Sequence, residues 1–516
     1  MTRKTLLRNG TIIDGTGRPA YQGDLLISGD RIEAVGALGP VADAMEVDCT
    51  GMHVVPGFID AHSHGDQEVL RRLPNKILQG VTTEVVGNCG FSLFPTKPHT
   101  PKMTGELFDG EPEEGMASVA DYFQAVEAAG PSVNVAALTG HSALRVYAMG
   151  MRSDPPGEEG FRCMEHALGE SLAAGALGFS TGLNCGPASF STTAELVRLC
   201  GVVRRHGGYF TTHMRDYKFK VVEAVEEALR VGREAGVPVQ ISHMQVVGQK
   251  NWPKLDTAIE AIEKAAEEGI DVCMDAYPYL AGSCSLLQFL PKWCQTGGVS
   301  ALLGHLESPG SRERIAAETD DGMSNTWDDI VVCGVRSATG RSLLGRSIAR
   351  IAAARGTPPA LTAMDLIREE NGDLFVISFN NNEANLRKVL THPLNSVITD
   401  GFVIDGGISH PRTFGTYPRF LGEFVRDKRW MSLDEAIPKT SSFAARRFRL
   451  KGRGELTPGA FADVTVFDYA RIGSAADYED PARSPDGIRE VMVNGRFAVR
   501  DGVLTGDHAG RALRRA

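Results

Sequence analysis

Short apolar runs broken by turn residues occupy both ends of the chain, and a longer alternation of two periods fills the middle. Near the start, TLLRNGTIID (5–14) places Asn9-Gly10 between two apolar runs, and DLLISGDRIEAVG (24–36) places Ser28-Gly29-Asp30 at the equivalent point. Such pairs suit the positive φ of tight turns, so both segments predict β-hairpins. ADVTVFD (462–468) and REVMVNGRFAVRDG (489–502), with Asn494-Gly495 at its centre, have the same character. Chain ends tend to lie close in space, so the two sets predict one small β domain made of residues 1–55 and 450–516.

Between them the period alternates. Val54–Asp60, VTTEVVGN (81–88), VNVAALTGH (133–141), GALGFSTG (175–182), GYFTTHM (208–214), VPVQISHM (237–244), IDVCMDAYP (270–278) and NSVITDG (395–401) are apolar runs of strand length. The segments between them, such as Glu195–His206, Phe219–Ala235 and Leu255–Glu268, repeat apolar residues every third and fourth position, the period of a helix with one buried face. Eight strands alternating with helices predict an α/β fold, a parallel (β/α)8 TIM-like barrel over 56–449, rather than an open sheet. The alternation fails at about 286–345, where Pro291, Gly297-Gly298, Ser308-Pro309-Gly310 and Asp320-Asp321-Gly322 mark an insertion late in the barrel. That insertion is either a lid or an inert elaboration.

Composition narrows the class. The 516 residues are 42% hydrophobic and 23% charged, the balance of a soluble enzyme with more than one structural unit. A net charge of −10 argues against nucleic acid or an anionic membrane as partner. The basic residues Arg511, Arg514 and Arg515 read as a solvated tail. Nine cysteines are scattered without a CxxC pair, as suits reduced thiols. The first residues lack an apolar run of signal-peptide length, and no stretch of about 18 apolar residues occurs. A cytoplasmic location is expected.

The chemistry collects at the ends of the predicted strands. In PGFIDAHSHGD (56–66), His62 and His64 are two residues apart, so in an extended segment both imidazoles face the same side. The second run ends in Asn88-Cys89-Gly90, the fifth in Thr212-His213, the sixth in Ser242-His243 and the eighth in Thr399-Asp400-Gly401. A barrel brings such ends together on one face. Thiolate and imidazole suit Zn²⁺, and a tight site of Cys89, His213 and His243 leaves a fourth position for a water whose pKa drops toward about 7. Asp400 is placed to act as general base. His62 and His64 can hold a second ion, with Cys89 bridging. His141, also at a strand end, either polarises a substrate carbonyl, bonds to the site or is structural. Arg412, shortly after Asp400, either grips a substrate carboxylate or forms a plain salt bridge.

These motifs resemble those of the amidohydrolase superfamily, and within it the N-acyl-D-amino-acid deacylases (D-aminoacylases). The resemblance is carried by PGFIDAHSH, by GVTTEVVGNCGFSLFP around Cys89, by GALGFSTGL (175–183) and HMRDY (213–217), and by VPVQISHMQVVGQKNW (237–252), AYPYLAGS (276–283) and HPRTFGTYPRFLG (410–422). It implies a (β/α)8 barrel with a small β-sandwich built from both termini. It also implies zinc held tightly by Cys89, His213 and His243, a weaker second site at His62, His64 and Asp400, and Asp400 as general acid and base. Tyr277, Ser283 and Arg412 match positions that bind the α-carboxylate of a D-amino acid.

The implied reaction is hydrolysis of an N-acyl-D-amino acid to a carboxylate and a D-amino acid. The chain departs from the family at Gln245, where a lysine that contacts the substrate carboxylate is usual, at Ile398-Thr399 before Asp400, and at Gly65. One positive charge fewer at 245 favours a less anionic side chain. A peptide with a C-terminal D-residue or a cyclic amide (a lactam, or a hydantoin-like ring) is the alternative substrate, and a non-catalytic ligand-binding relative the least favoured reading.

Overall fold

The computed structural model describes residues 4–97 and 116–515; the remaining positions of the expected terminal unit and barrel lie outside them. Eight parallel strands form the barrel, labelled in chain order: β1 (Phe58–Asp60), β2 (Val81–Val86), β3 (Asn134–Gly140), β4 (Gly178–Gly182), β5 (Tyr209–His213), β6 (Val239–Ile241), β7 (Val272–Ala276) and β8 (Asn395–Val397). Each pairs in parallel with the next. The seam between β8 and β1 is bridged just beyond the strands, where Asp400 N donates to His62 O at 2.9 Å and His64 N to Gly401 O at 3.1 Å.

The surrounding helices follow from the sequence period. Val221–Ala235 buries Val221, Ala224, Val225, Ala228, Leu229 and Ala235, the one-face spacing of a helix, and ends where Gly236 takes φ 66°. Each fully buried valine or leucine there contributes about 1.5–3 kcal/mol. Thr193–Arg205 starts where the Thr192 side chain accepts from Glu195 N, and Lys254–Glu267 completes the expected set.

The run Val54–Asp60, expected as one strand, divides at Gly57. His53–Pro56 joins a sheet of terminal strands, and β1 joins the barrel. A Cβ at Gly57 would lie 2.2 Å from Thr82 Oγ1, so only glycine lets the chain pass between the two sheets.

Among the described residues the terminal sheet has nine strands. Val464–Phe467 pairs antiparallel with His53–Pro56, which joins the two ends of the chain. Asn494-Gly495 turns between Val493 and Arg496 with φ of 48° and 76°, and Gly29-Asp30 turns between Ser28 and Arg31. Asn9-Gly10 is not a hairpin. Lys4–Ile12 runs through it as one strand with a bulge between Leu7 and Gly10, and Asn9 has φ 60°. A bulge uses the same left-handed residue as a turn.

The excursion between β7 and β8 is longer than expected. An antiparallel sheet of Ala281–Ser285, Leu374–Phe379 and Ile330–Val335 carries helices around its own core of Leu286, Leu302, Ile315, Ile330, Leu366 and Val376. Ser308-Pro309-Gly310, one of the marks of the expected insertion, opens the helix Pro309–Gly322, because proline fits the first turn of a helix. The C-terminal arginines are not a free tail either. Ala512 bridges to Val135 of β3, Arg515 N donates to Gly175 O, and Arg514 pairs with Glu127. Among the described residues no helix is long and apolar enough to cross a membrane.

Candidate metal centre and substrate cavity

Six of the singled-out side chains meet at one end of the barrel. His62 and His64 follow β1, Cys89 follows β2, His213 ends β5, His243 follows β6 and Asp400 follows β8. Cys89, His243 and Asp400 have φ of 51°, 32° and 47°. Left-handed backbone costs a non-glycine residue about 1–3 kcal/mol, and here it turns three chain ends sharply at the barrel mouth. Gly182 permits the closest of these approaches, since a Cβ there would lie 2.2 Å from Cys89 O.

Cys89 Sγ lies 3.3 Å from His62 Nε2 and 3.5 Å from His243 Nε2. Asp400 Oδ1 lies 3.3 Å from His62 Nε2 and 3.1 Å from His64 Nε2. The candidate ligand atoms of Cys89, His213 and His243 all fall within 4.8 Å of one another, as do those of His62, His64, Cys89 and Asp400. Both groups could hold a metal, and Cys89 is common to them. One thiol, four imidazoles and a carboxylate suit a borderline-soft ion such as Zn²⁺. His243 Nδ1 is buried with no hydrogen-bond partner, a donor set unsatisfied by protein alone.

Burial lowers His213 well below the ordinary imidazole value, and the charge of His243 adds to this; burial takes His243 to about 4. Both rings are therefore neutral, the form that ligates metal. Burial works to raise the Asp400 carboxyl, but the Arg412 guanidinium, His62 and His64 outweigh it and hold it well below the usual carboxylate range. Burial also opposes a charge on His62, and there the negative charges of Cys89 and Asp275 win and raise it.

A cavity of about 340 Å³ opens over these groups, lined by His64, Cys89, His213, His243 and Asp400 and also by Gln245, Tyr277, Ser283 and Arg412. Arg412 Cζ sits 4.4 Å from the Tyr277 ring centroid, and Tyr277 Oη is 3.5 Å from Gln245 Oε1. His141 is elsewhere. It is fully buried, with Nδ1 2.9 Å from Thr181 Oγ1 and Nε2 2.9 Å from Glu195 Oε1, and it is not among the cavity's lining residues. Arg145 holds the same Glu195, so of the roles open to His141 the structural one matches its position.

Two groups escaped the sequence reading. Asp275, at the end of β7, accepts from His243 N at 2.5 Å and from Gln240 Nε2 at 2.6 Å, and lies 3.4 Å from His62 Nδ1. Its signal was an acidic residue near the end of the run IDVCMDAYP, the place Asp400 takes in NSVITDG. Tyr217 packs its ring edge-on to His213 with centroids 4.9 Å apart, while its hydroxyl accepts from Met214 N and donates to Ser242 O.

Known proteins resemble this chain along its whole length. The amidohydrolase family model matches residues 45–499. The D-aminoacylase of Alcaligenes xylosoxydans xylosoxydans is 37% identical over 512 residues, 99% of this chain and 97% of that one. The crystal structure of N-acyl-D-glutamate deacylase from Bordetella bronchiseptica, complexed with zinc and a phosphonate mimic of the tetrahedral intermediate, superposes with a TM-score of 0.86 at 32% identity and full coverage of both chains. A D-aminoacylase structure described by a binuclear metal centre, with one-metal activation and second-metal attenuation, superposes with a TM-score of 0.84 at 34% identity over 99% of each chain. A match of that length and identity, on a barrel whose strand ends carry the candidate ligands, leaves one assignment: the chain belongs to the amidohydrolase family.

Proposed function

We propose that this protein is a zinc-dependent deacylase that hydrolyses the amide bond of N-acyl-D-amino acids, releasing a carboxylate and a free D-amino acid. The observation that carries the reading is the convergence of Cys89, His213 and His243 beside Asp400 at the floor of a cavity whose wall includes Arg412. The tight ion belongs to Cys89, His213 and His243, and a second, weaker one to His62, His64 and Asp400 with Cys89 shared. Zinc bound there supplies Lewis acidity, which lowers the pKa of water and stabilises negative charge on the amide oxygen.

The side chains supply the rest. Asp400, kept ionised by Arg412, takes the proton of the attacking water and gives it to the amide nitrogen as the C–N bond breaks. Arg412 has Nη1 on Asp400 and an unpaired buried Nε, so its fork retains donors for a substrate α-carboxylate. Tyr277, stacked beneath it, and Ser283 complete that wall, with Gln245 bonded to Tyr277. The protein's place is the cytoplasm, whose reducing thiol pool suits cysteines that form no disulfide among the described residues.

The test is turnover of N-acetyl-D-methionine and its L-enantiomer by enzyme of measured zinc content. Hydrolysis of the D-form alone, lost on chelation and restored by zinc, is expected. A zinc-loaded enzyme inert toward every N-acyl-D-amino acid offered would overturn the reading.

A further inference from the structure

Lys76, just before the short turn Ile77–Gln79 that leads into β2, is a buried ammonium with no task in the deacylase mechanism. Its Nζ donates to Asp60 Oδ2 and to Thr399 Oγ1, each at 2.6 Å, and stands 3.8 Å from Glu84 Oε2. Asp60 ends β1, Glu84 lies in β2 and Thr399 follows β8, so one side chain touches both sides of the seam where the barrel closes. Burying an ammonium is costly unless it is paired and hydrogen-bonded. Burial opposes the charge here, but Asp60, Glu84 and Glu68 outweigh it and raise the Lys76 amine. An apolar side chain would fill the space without that cost but could not tie β8 to β1.

From the ammonium the bonds run on to three of the candidate ligands. Asp60 Oδ1 accepts from Thr399 N at 3.0 Å and from His62 N at 3.4 Å, and Asp60 Oδ2 accepts from Thr399 Oγ1 at 2.6 Å. Thr399 Oγ1 in turn accepts from Gly401 N at 3.0 Å. Asp400, whose backbone is left-handed, is therefore held at both of its chain neighbours. Glu84 Oε2 accepts from Ser63 Oγ at 2.7 Å, and that oxygen accepts from Gly65 N at 3.0 Å, which fixes the chain on either side of His64.

The other three ligands are fastened elsewhere. Gly90 N, next to Cys89, donates to Ser180 Oγ at 3.1 Å, Leu183 N donates to His213 O at 3.0 Å, and His243 N donates to Asp275 Oδ1 at 2.5 Å. None of these bonds passes through Lys76, Asp60 or Thr399. The candidate centre thus has two separately supported halves, and the lysine supports one of them.

We propose that Lys76 is a positioning residue for the second, weaker ion. Through Asp60 and Thr399 it sets the spacing of His62, His64 and Asp400, while the tight site of Cys89, His213 and His243 stands without it. This rests on the deacylase reading with its two ions.

Zinc titrations of the metal-free protein, read by competition with a chromophoric chelator, test it in the parent, Lys76→Met, Thr399→Val and Thr399→Ser. The parent should take up one tight and one weaker equivalent. Lys76→Met and Thr399→Val should weaken the second equivalent by about 10- to 100-fold, the scale of losing a group behind a metal ligand, and leave the first unchanged. Thr399→Ser keeps the hydroxyl and should bind both equivalents as the parent does. Both equivalents weakened alike would make Lys76 a plain support of the fold, and an unshifted second equivalent would show that its bonds do not govern the ligands; either result overturns the inference. A parent that takes up one equivalent only also overturns it and leaves the deacylase reading standing. Thr399→Val exchanges one neutral side chain for another of similar shape, so it carries the test if Lys76→Met does not fold. The titrations need no turnover, so a zinc-loaded parent inert toward every N-acyl-D-amino acid offered overturns the deacylase reading in a separate measurement.

Discussion

Arg412 Nη1 lies 2.9 Å from Asp400 Oδ2, and both residues are buried on the cavity lining. One guanidinium thus holds the proposed general base charged and presents its remaining edge to the substrate. Arg412→Lys keeps the charge but loses the planar fork, so KM for an N-acyl-D-amino acid should rise about 10- to 100-fold while the protein still folds. Unchanged KM would remove Arg412 from the α-carboxylate site.

Asp400→Asn separates proton transfer from metal binding. The amide keeps the shape but cannot accept a proton, so kcat should fall by about 10²–10⁴-fold. Zinc at the tight site, measured by elemental analysis, should remain near the parent's content. A variant with ordinary kcat would exclude Asp400 as the base.

Cys89 is shared by both candidate ligand groups. Cys89→Ala should therefore abolish stoichiometric zinc, and activity should not return when zinc is added in modest excess. Dialysis of the parent against a chelator followed by titration should instead restore activity as zinc is returned. Retention of tightly bound zinc by Cys89→Ala would relocate the site.

Asp275 is not itself among the cavity's lining residues, but it fastens the backbone of His243, which is, and it faces His62. Asp275→Asn should weaken zinc binding by about 10- to 100-fold, as loss of a carboxylate behind a metal ligand does. A competition titration with a chromophoric chelator reads this directly, and an unshifted curve would reduce Asp275 to a strand-end hydrogen bond.

Lys439 gives a pH signature remote from the metal centre. Its ammonium is buried against the carbonyls of His392 and Asn395, and burial lowers it from 10.5 to about 8. Between those values the unfolded chain binds more protons than the folded one, so stability rises with pH through the window from about 8 to 10.5. It is lost again as pH falls through 8, by about 3 kcal/mol in full. Denaturation of the parent and of Lys439→Met should show the parent gaining on the variant from pH 8 to 10.5. Parallel pH curves would contradict it.

Much of the candidate site was legible because its candidate ligands close apolar runs. His213, His243 and Asp400 each stand where a strand stops, and a barrel turns such ends inward whatever its helices do. Asp275 was not legible, because an acidic residue at the end of a strand also looks like an ordinary boundary. Asn9-Gly10 misled for a physical reason: a left-handed residue serves a bulge as well as a turn, and only the partner strand Tyr21–Ser28 decides between them. Ser308-Pro309-Gly310 marked the insertion without showing its helix, since a proline that breaks a helix in its middle starts one at its first turn.

The antiparallel pairing of His53–Pro56 with Val464–Phe467 bears on the order of assembly during synthesis. The strand that leads through Gly57 to His62 and His64 pairs early with Lys4–Ile12 but must wait for its second partner, made some 400 residues later, so the first-made candidate ligands are anchored among the last. Contacts of such long sequence separation slow folding and leave a sheet edge open meanwhile. A nascent chain cut short before Val464 would therefore display an unpaired strand edge, and metal supplied early would meet a site whose foundation is still missing.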